Sequence, residues 1–143
     1  MLGRTSQPSS SDMMELEWDD ELSWLAQAHA DTCKFGHDCN KCRKLSRWRN
    51  VGQNLYQSHR LYYGLYFTSI ANSFYSRGQS GPTNWKAAID AWFWDEIDLF
   101  PHSSVYSYKF EHKTGHYSQM VWSKTTRVGC GLTEYKLGNW VAK

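Results

Sequence analysis

Two histidines and a glutamate, His37, His116 and Glu96, are the side chains whose types and settings point to chemistry. Neutral imidazole nitrogens and a carboxylate oxygen are common ligands of zinc and other divalent cations, and such a trio also serves as a general acid/base group. His37 sits in the tight polar stretch "FGHDC". His116 heads "HYSQMVW", where alternation places His116, Ser118, Met120 and Trp122 on one face of an expected strand. Glu96 follows Trp85 by eleven residues in "NWKAAIDAWFWDEIDLF". At about 3.6 residues per turn it falls within about 20° of the apolar stripe Trp85, Ile89 and Trp92. An inward carboxylate is expected, although spacing alone also allows one that reaches solvent or pairs with a lysine. The motifs HExxH and GxSxG and a phosphate-cradling glycine loop are absent, so no ready-made catalytic signature decides the reaction.

Three elements must position this trio. Asp19 or Asp20 caps an expected helix through "ELSWLAQAHADTC", with Leu22, Leu25, Ala26, His29 and Cys33 on its inner face. His29 reads there as a satisfied core histidine. A second helix is expected over Asn84 to Phe100, ended by Pro101. His116 then opens the first of two short strands joined by a polar turn. Between them, "VGQNLYQS" (Val51 to Ser58) starts a further helix or an irregular segment, and the stretch from Arg60 to Ser80 reads as an aromatic loop.

The chain has 143 residues, enough for one domain with its own core. Residues 1–12, rich in Ser, Pro and Gly, read as a disordered start, leaving 13–143 as a single domain. Aromatic residues make up 16% of the chain, and large rings compensate for few aliphatics. A net charge of +2 is too mild to argue for nucleic acid, and the basic run "KCRKLSRWR" reads as a solvated loop. No stretch has the apolar length of a membrane span, and "MLGRTSQPSSSD" lacks the regions of a signal peptide. Cys33, Cys39, Cys42 and Cys130 allow several pairings, or a metal site using "CNKC". A second ligand pair at zinc spacing is absent, so disulfides in a secreted protein are the preferred reading.

Four blocks in order resemble the CAP superfamily of cysteine-rich secretory proteins, antigen 5 and pathogenesis-related proteins. They are "LEWDDELSWLAQAHADTCKFGHD" (Leu16 to Asp38), "VGQNL" (Val51 to Leu55), "AWFWDEIDLF" (Ala91 to Phe100) and "GHYSQMVWSKTTRVGCG" (Gly115 to Gly131). The "VGQN" form and the cysteine loop look most like the insect antigen 5 branch. The resemblance implies an α+β fold, an α-β-α sandwich with a central antiparallel sheet between helices. It also implies a cleft with two histidines and two acids, matched here by His37, His116, Glu96 and, at the second acidic position, Gln53. An amide takes up no proton at working pH, so a mechanism needing two carboxylates loses one. The family's closing strand, whose cysteine pairs with the one matching Cys130, and its opening helix have no counterpart here. The chain therefore looks truncated at both ends, with a sheet edge exposed.

The resemblance favours a secreted, extracellular binding module that is not an enzyme, of the kind found among venom and saliva allergens. Sterol, fatty acid or a host receptor protein would be its partner, with the aromatic stretch from Leu61 to Tyr75 lining an apolar groove. No nucleic-acid partner is expected, and a monomer or weak dimer is. No cofactor is required, while zinc or another divalent cation is an expected occupant for His37 and His116. The alternative is a metal-dependent hydrolase, protease or esterase, using His37, His116 and Glu96. A third reading has these groups merely satisfying one another by hydrogen bonds.

Overall fold

The structure is a computed structural model that describes residues 7–47, 50–57, 59–61, 85–133, 135–137 and 140–142. Strand β1 (Glu17–Trp18) leads into helix α1 (Asp20–Ala30), and β2 (His59–Leu61) precedes helix α2 (Lys86–Phe93). Three short 3-10 turns, Ile97–Leu99, His102–Val105 and His112–Thr114, connect α2 to helix α3 (Gly115–Met120). Strands β3 (Arg127–Val128), β4 (Tyr135–Leu137) and β5 (Trp140–Ala142) follow. This is a mixed α/β fold. β1 pairs with β3 in parallel, and a three-stranded antiparallel sheet runs β2-β5-β4. The aromatic stretch expected to line an apolar groove lies outside the described residues beyond Leu61.

Asp19 joins the first strand to the first helix. Its carboxylate accepts the Leu22 N–H at 3.0 Å as N-cap, while its own N–H donates to the Val128 carbonyl at 2.8 Å. The buried face of α1 is Leu22, Ala26 and Ala30, one residue per turn. His29 is half-buried, and its Nε2–H donates to the Gly36 carbonyl at 2.9 Å. Cys33 does not share that face. It lies beyond the helix, exposed, with φ at 55°.

The segment after β3 runs along α1 in matched steps. Asp19, Ser23 and Gln27 recur every four residues and meet Val128, Cys130 and Leu132, which recur every two. Four helical residues rise about 6.0 Å and two extended residues about 6.6 Å, so the two repeats stay in phase over this length. Ser23 Oγ donates to the Cys130 carbonyl at 2.7 Å, and the Gln27 amide both donates to the Leu132 carbonyl (2.7 Å) and accepts its N–H (2.9 Å). Glycine is required between these contacts. A Cβ on Gly129 would fall on the backbone of Leu22 and Ser23, and one on Gly131 on that of Ala26 and Gln27. Gly131→Ala is expected to lower stability by about 2 kcal/mol, read as a fall in the urea midpoint, because helix backbone cannot move aside as a side chain can.

Two expected elements differ. Helix α2 ends at Phe93, far short of Phe100, and Glu96 sits in the turn that starts the Ile97–Leu99 3-10 segment. Its inward face is Ala88 and Trp92, while Trp85 precedes the helix at the N-cap position and is exposed. Residues 116–120 form helix, not strand. Tyr117 and Val121 pack on Ile97 and Phe100, while Met120 packs on Ala88 and Trp92. Residues 50–57 are irregular, with Gln53, Asn54 and Leu55 buried. Of the disordered start expected over residues 1–12, residues 1–6 lie outside the described residues, and the Gln7 amide donates to the carbonyls of Ile97 (3.0 Å) and Phe100 (2.8 Å).

Candidate functional site

His116 occupies the first turn of α3, where three different segments hold it. Its Nδ1 lies 2.5 Å from Glu96 Oε1, its ring stacks on Trp92 at 6.1 Å between centroids, and its carbonyl accepts from Asn54 Nδ2 at 3.1 Å. The other oxygen of Glu96 accepts the Tyr117 N–H at 2.9 Å. One buried carboxylate thus fixes both the start of α3 and the orientation of the imidazole. Since a carboxylate oxygen here accepts, Nδ1 is the donor, and the neutral ring carries its lone pair on Nε2. Tyr117, packed between Phe93 and Phe100, has its phenol pushed up from the ordinary tyrosine value by burial.

His37 follows α1 in an exposed loop position and is held by Gln53, whose Oε1 lies 2.6 Å from His37 Nδ1. The amine end of Gln53 donates to Asp38 Oδ1 at 3.1 Å. That contact fixes the amide orientation, so its carbonyl faces the imidazole and Nδ1 again donates. His37 therefore also presents Nε2 as an acceptor. Asp38 faces Arg43 Nε at 3.2 Å, an ion-pair distance without hydrogen-bond alignment, while Arg43 Nη2 donates to Asn40. Arg43 is only 6% exposed, so the basic run is not wholly a solvated loop. Cys39 and Cys42 form a disulfide beside it, which removes "CNKC" as a metal pair.

Both histidines line one cleft of about 1110 Å³, together with Gln53, Asn54, Tyr108 and Trp122. Glu96 supports its wall from behind and is not part of the lining. The trio thus resolves into two separately held imidazoles, one backed by a carboxylate and one by an amide. Among the described residues, no three His, Cys, Asp or Glu side chains come together as a metal-holding group. Chemically, the cleft offers two Nε2 lone pairs, and among the described residues no group of the chain takes up either atom. Sequence reasoning missed Trp92 as the ring beneath His116, Asn54 as the support of its carbonyl, and Arg43 as a cleft residue. Asn54 stood beside Gln53 in "VGQN", the one signal available for it.

Comparison with known proteins gives the family and the fold. The model of the CAP family, described as the cysteine-rich secretory protein family, matches residues 4–143. The chain is similar to Venom allergen 5 of Tityus serrulatus, 40% identical over 129 residues, covering 90% of this chain and 27% of that protein. It is similar to CRISP/Allergen/PR-1 of Trittame loki, 39% identical over 137 residues, covering 94% of this chain and 29% of that protein. Venom allergen 5 of Microctonus hyperodae is 39% identical over 121 residues, covering 85% of this chain and 44% of that protein. The chain thus spans less than half the length of these relatives. Among solved structures, venom allergen-like protein 4 of Schistosoma mansoni superposes with a TM-score of 0.62 at 20% identity, covering 94% of this chain and 68% of that one. At that identity the likeness speaks for the fold.

Proposed function

From the premise that this chain belongs to the cysteine-rich secretory protein family, we propose that it is an extracellular binding module whose cleft holds a divalent cation between His37 and His116. The arrangement that supports this is the pair of imidazoles in one cleft, each with Nδ1 engaged and Nε2 presented as a lone pair. Metal-ligating histidines are held in this way, the far nitrogen donating to a carboxylate or carbonyl that fixes the tautomer. A cation there would take two nitrogen ligands from the chain and complete its shell with water or ligand oxygens. The domain, over residues 13–143, is proposed as the family's sandwich of a central sheet between helices.

Hydrolysis fits the site less well. A hydrolase needs a base in reach of the attacking water. Both oxygens of Glu96 are already engaged, by His116 and by the Tyr117 N–H, and Glu96 does not line the cleft. Gln53, at the other position, is an amide. The cleft's histidines, amides and arginines also suit a polar ligand better than a sterol or fatty acid. An apolar ligand would draw on the stretch from Leu61 to Tyr75, most of which lies outside the described residues.

Zinc titration by calorimetry and native mass spectrometry tests the proposal. Saturable binding is expected, lost in His116→Ala and weakened at least about tenfold in Gln53→Ala, which removes the group that orients His37 while leaving both imidazoles in the chain. Zinc binding unchanged by His116→Ala would refute the site. A lipid-sized mass adduct would instead favour the apolar reading, and ester or peptide turnover that disappears with His116→Ala would restore the hydrolase.

A further inference from the structure

We propose that the same cleft is a groove for an acidic polypeptide segment, bound through cationic side chains and exposed aromatic rings. The inference rests on the binding-module reading but not on the cation. Charge segregation carries it. The chain as a whole is nearly balanced, with 16 Lys and Arg against 14 Asp and Glu. Yet among the described residues the cleft is lined by Arg43, Arg47, Lys124 and Arg127, and by no Asp or Glu. Cationic groups thus face the cleft while carboxylates stand outside its lining, an arrangement that orients the local field toward an anionic ligand. Lys124 is exposed and, among the described residues, makes no ion pair within the chain.

The remaining features choose the kind of anion. Arg43, Arg47 and Arg127 have carboxylates close by that do not line the cleft: Asp38 beside Arg43, Asp19 and Glu21 beside Arg47, and Glu17 beside Arg127. Their charge is thereby moderated, which suits scattered carboxylates better than a densely charged polysulfate. Tyr108 and Trp122 meet edge to face at 5.0 Å, and Phe110 and Trp122 are 58% and 43% exposed, so the cleft also offers ring surface for apolar side chains. Asn50 and Thr126 supply polar groups for a peptide backbone. A polymer segment that alternates acidic and apolar side chains matches these properties together.

The test titrates the full chain, in chelator, with a fluorescein-labelled peptide alternating Glu and Leu. The same peptide with Gln in place of Glu, and a heparin fragment, serve as comparisons, and anisotropy is the readout. Saturable binding of the acidic peptide is expected, with the Gln peptide at least about tenfold weaker and Lys124→Glu at least about fivefold weaker. Trp122→Ala is expected to weaken binding at high salt as well as low, because its contribution is apolar. Both substitutions fall on exposed side chains, and circular dichroism checks that each variant folds. Equal affinity for the two peptides, no binding of the acidic one, or an unchanged Lys124→Glu variant would overturn the inference. So would tighter, Lys124-dependent binding of heparin, which would make the groove a polysaccharide site. Zinc titration of the same preparation separates the two proposals: zinc binding without peptide binding removes this one alone, and peptide binding without zinc removes the cation site alone.

Discussion

Trp92→Ala is expected to destabilise the protein by about 4 kcal/mol, seen as a large fall in the urea midpoint with little change in slope. Trp92 is 1% exposed and packs with Ala88 against Tyr56, Met120 and Leu132. Its indole N–H donates to the Leu55 carbonyl at 2.9 Å, tying the irregular 50–57 segment to α2. Truncation therefore leaves a cavity and also strips a buried carbonyl of its donor. Trp92→Phe keeps ring volume but loses the donor, and is expected to cost about 1–2 kcal/mol. Because the ring also lies under His116, Trp92→Phe should retain zinc binding while Trp92→Ala loses it even where the variant remains folded. A loss below about 1 kcal/mol for Trp92→Ala would show that α2 is not the centre of this core.

Glu96 gives the second large effect and separates stability from binding. Glu96→Ala removes the acceptor of the Tyr117 N–H and the partner of His116 together, for an expected loss of about 3 kcal/mol. Most of this comes from the stranded amide. The His116 side chain is 33% exposed, so water screens the charge part of that pair. Glu96→Gln is more informative. Its carbonyl must face the Tyr117 N–H, since two opposed donors would meet otherwise, and its NH₂ then points at His116 Nδ1. That nitrogen must now accept, which moves the ring proton to Nε2 and takes away the lone pair offered to a cation. The variant is expected to lose only about 1 kcal/mol yet to weaken zinc binding about 10- to 100-fold. Equal zinc affinity in Glu96→Gln and the parent chain would sink the tautomer argument.

Much of this was legible in the sequence, in some places through the wrong element. Glu96 was expected to face inward because it follows Trp85 by eleven residues, close to the line of a helical stripe. It is buried, but in a turn beyond the helix, where the His116 ring and the Tyr117 N–H hold it. His116 and Met120 were expected to share a strand face. They share a helix face, because a spacing of four residues satisfies the periods of both structures. Ser118 separates the two structures, since a strand would align it with His116, whereas on the helix it is turned by about 200° from that residue, buried, and hydrogen-bonded to the Tyr108 hydroxyl at 3.1 Å. Local periodicity thus found which residues matter and missed what carries them. The register of α1 against residues 128–132 could not be read locally at all, because it depends on approach in space rather than on spacing along the chain.

That register has a temporal consequence. Ser23 and Gln27 find their partners 107 and 105 residues later in the chain. An isolated helix of eleven residues is barely populated in water, so α1 gains lasting order only when its docking segment arrives. At a synthesis rate of about 5–20 residues per second, the interval is on the order of ten seconds. Ala26 packs on Val51 and Leu55, which are made early, so it is the Asp19, Ser23 and Gln27 edge of α1 that waits through that interval for its partners. Maturation of the first helix is thus a late event, timed by the translation of a glycine-bearing segment far downstream.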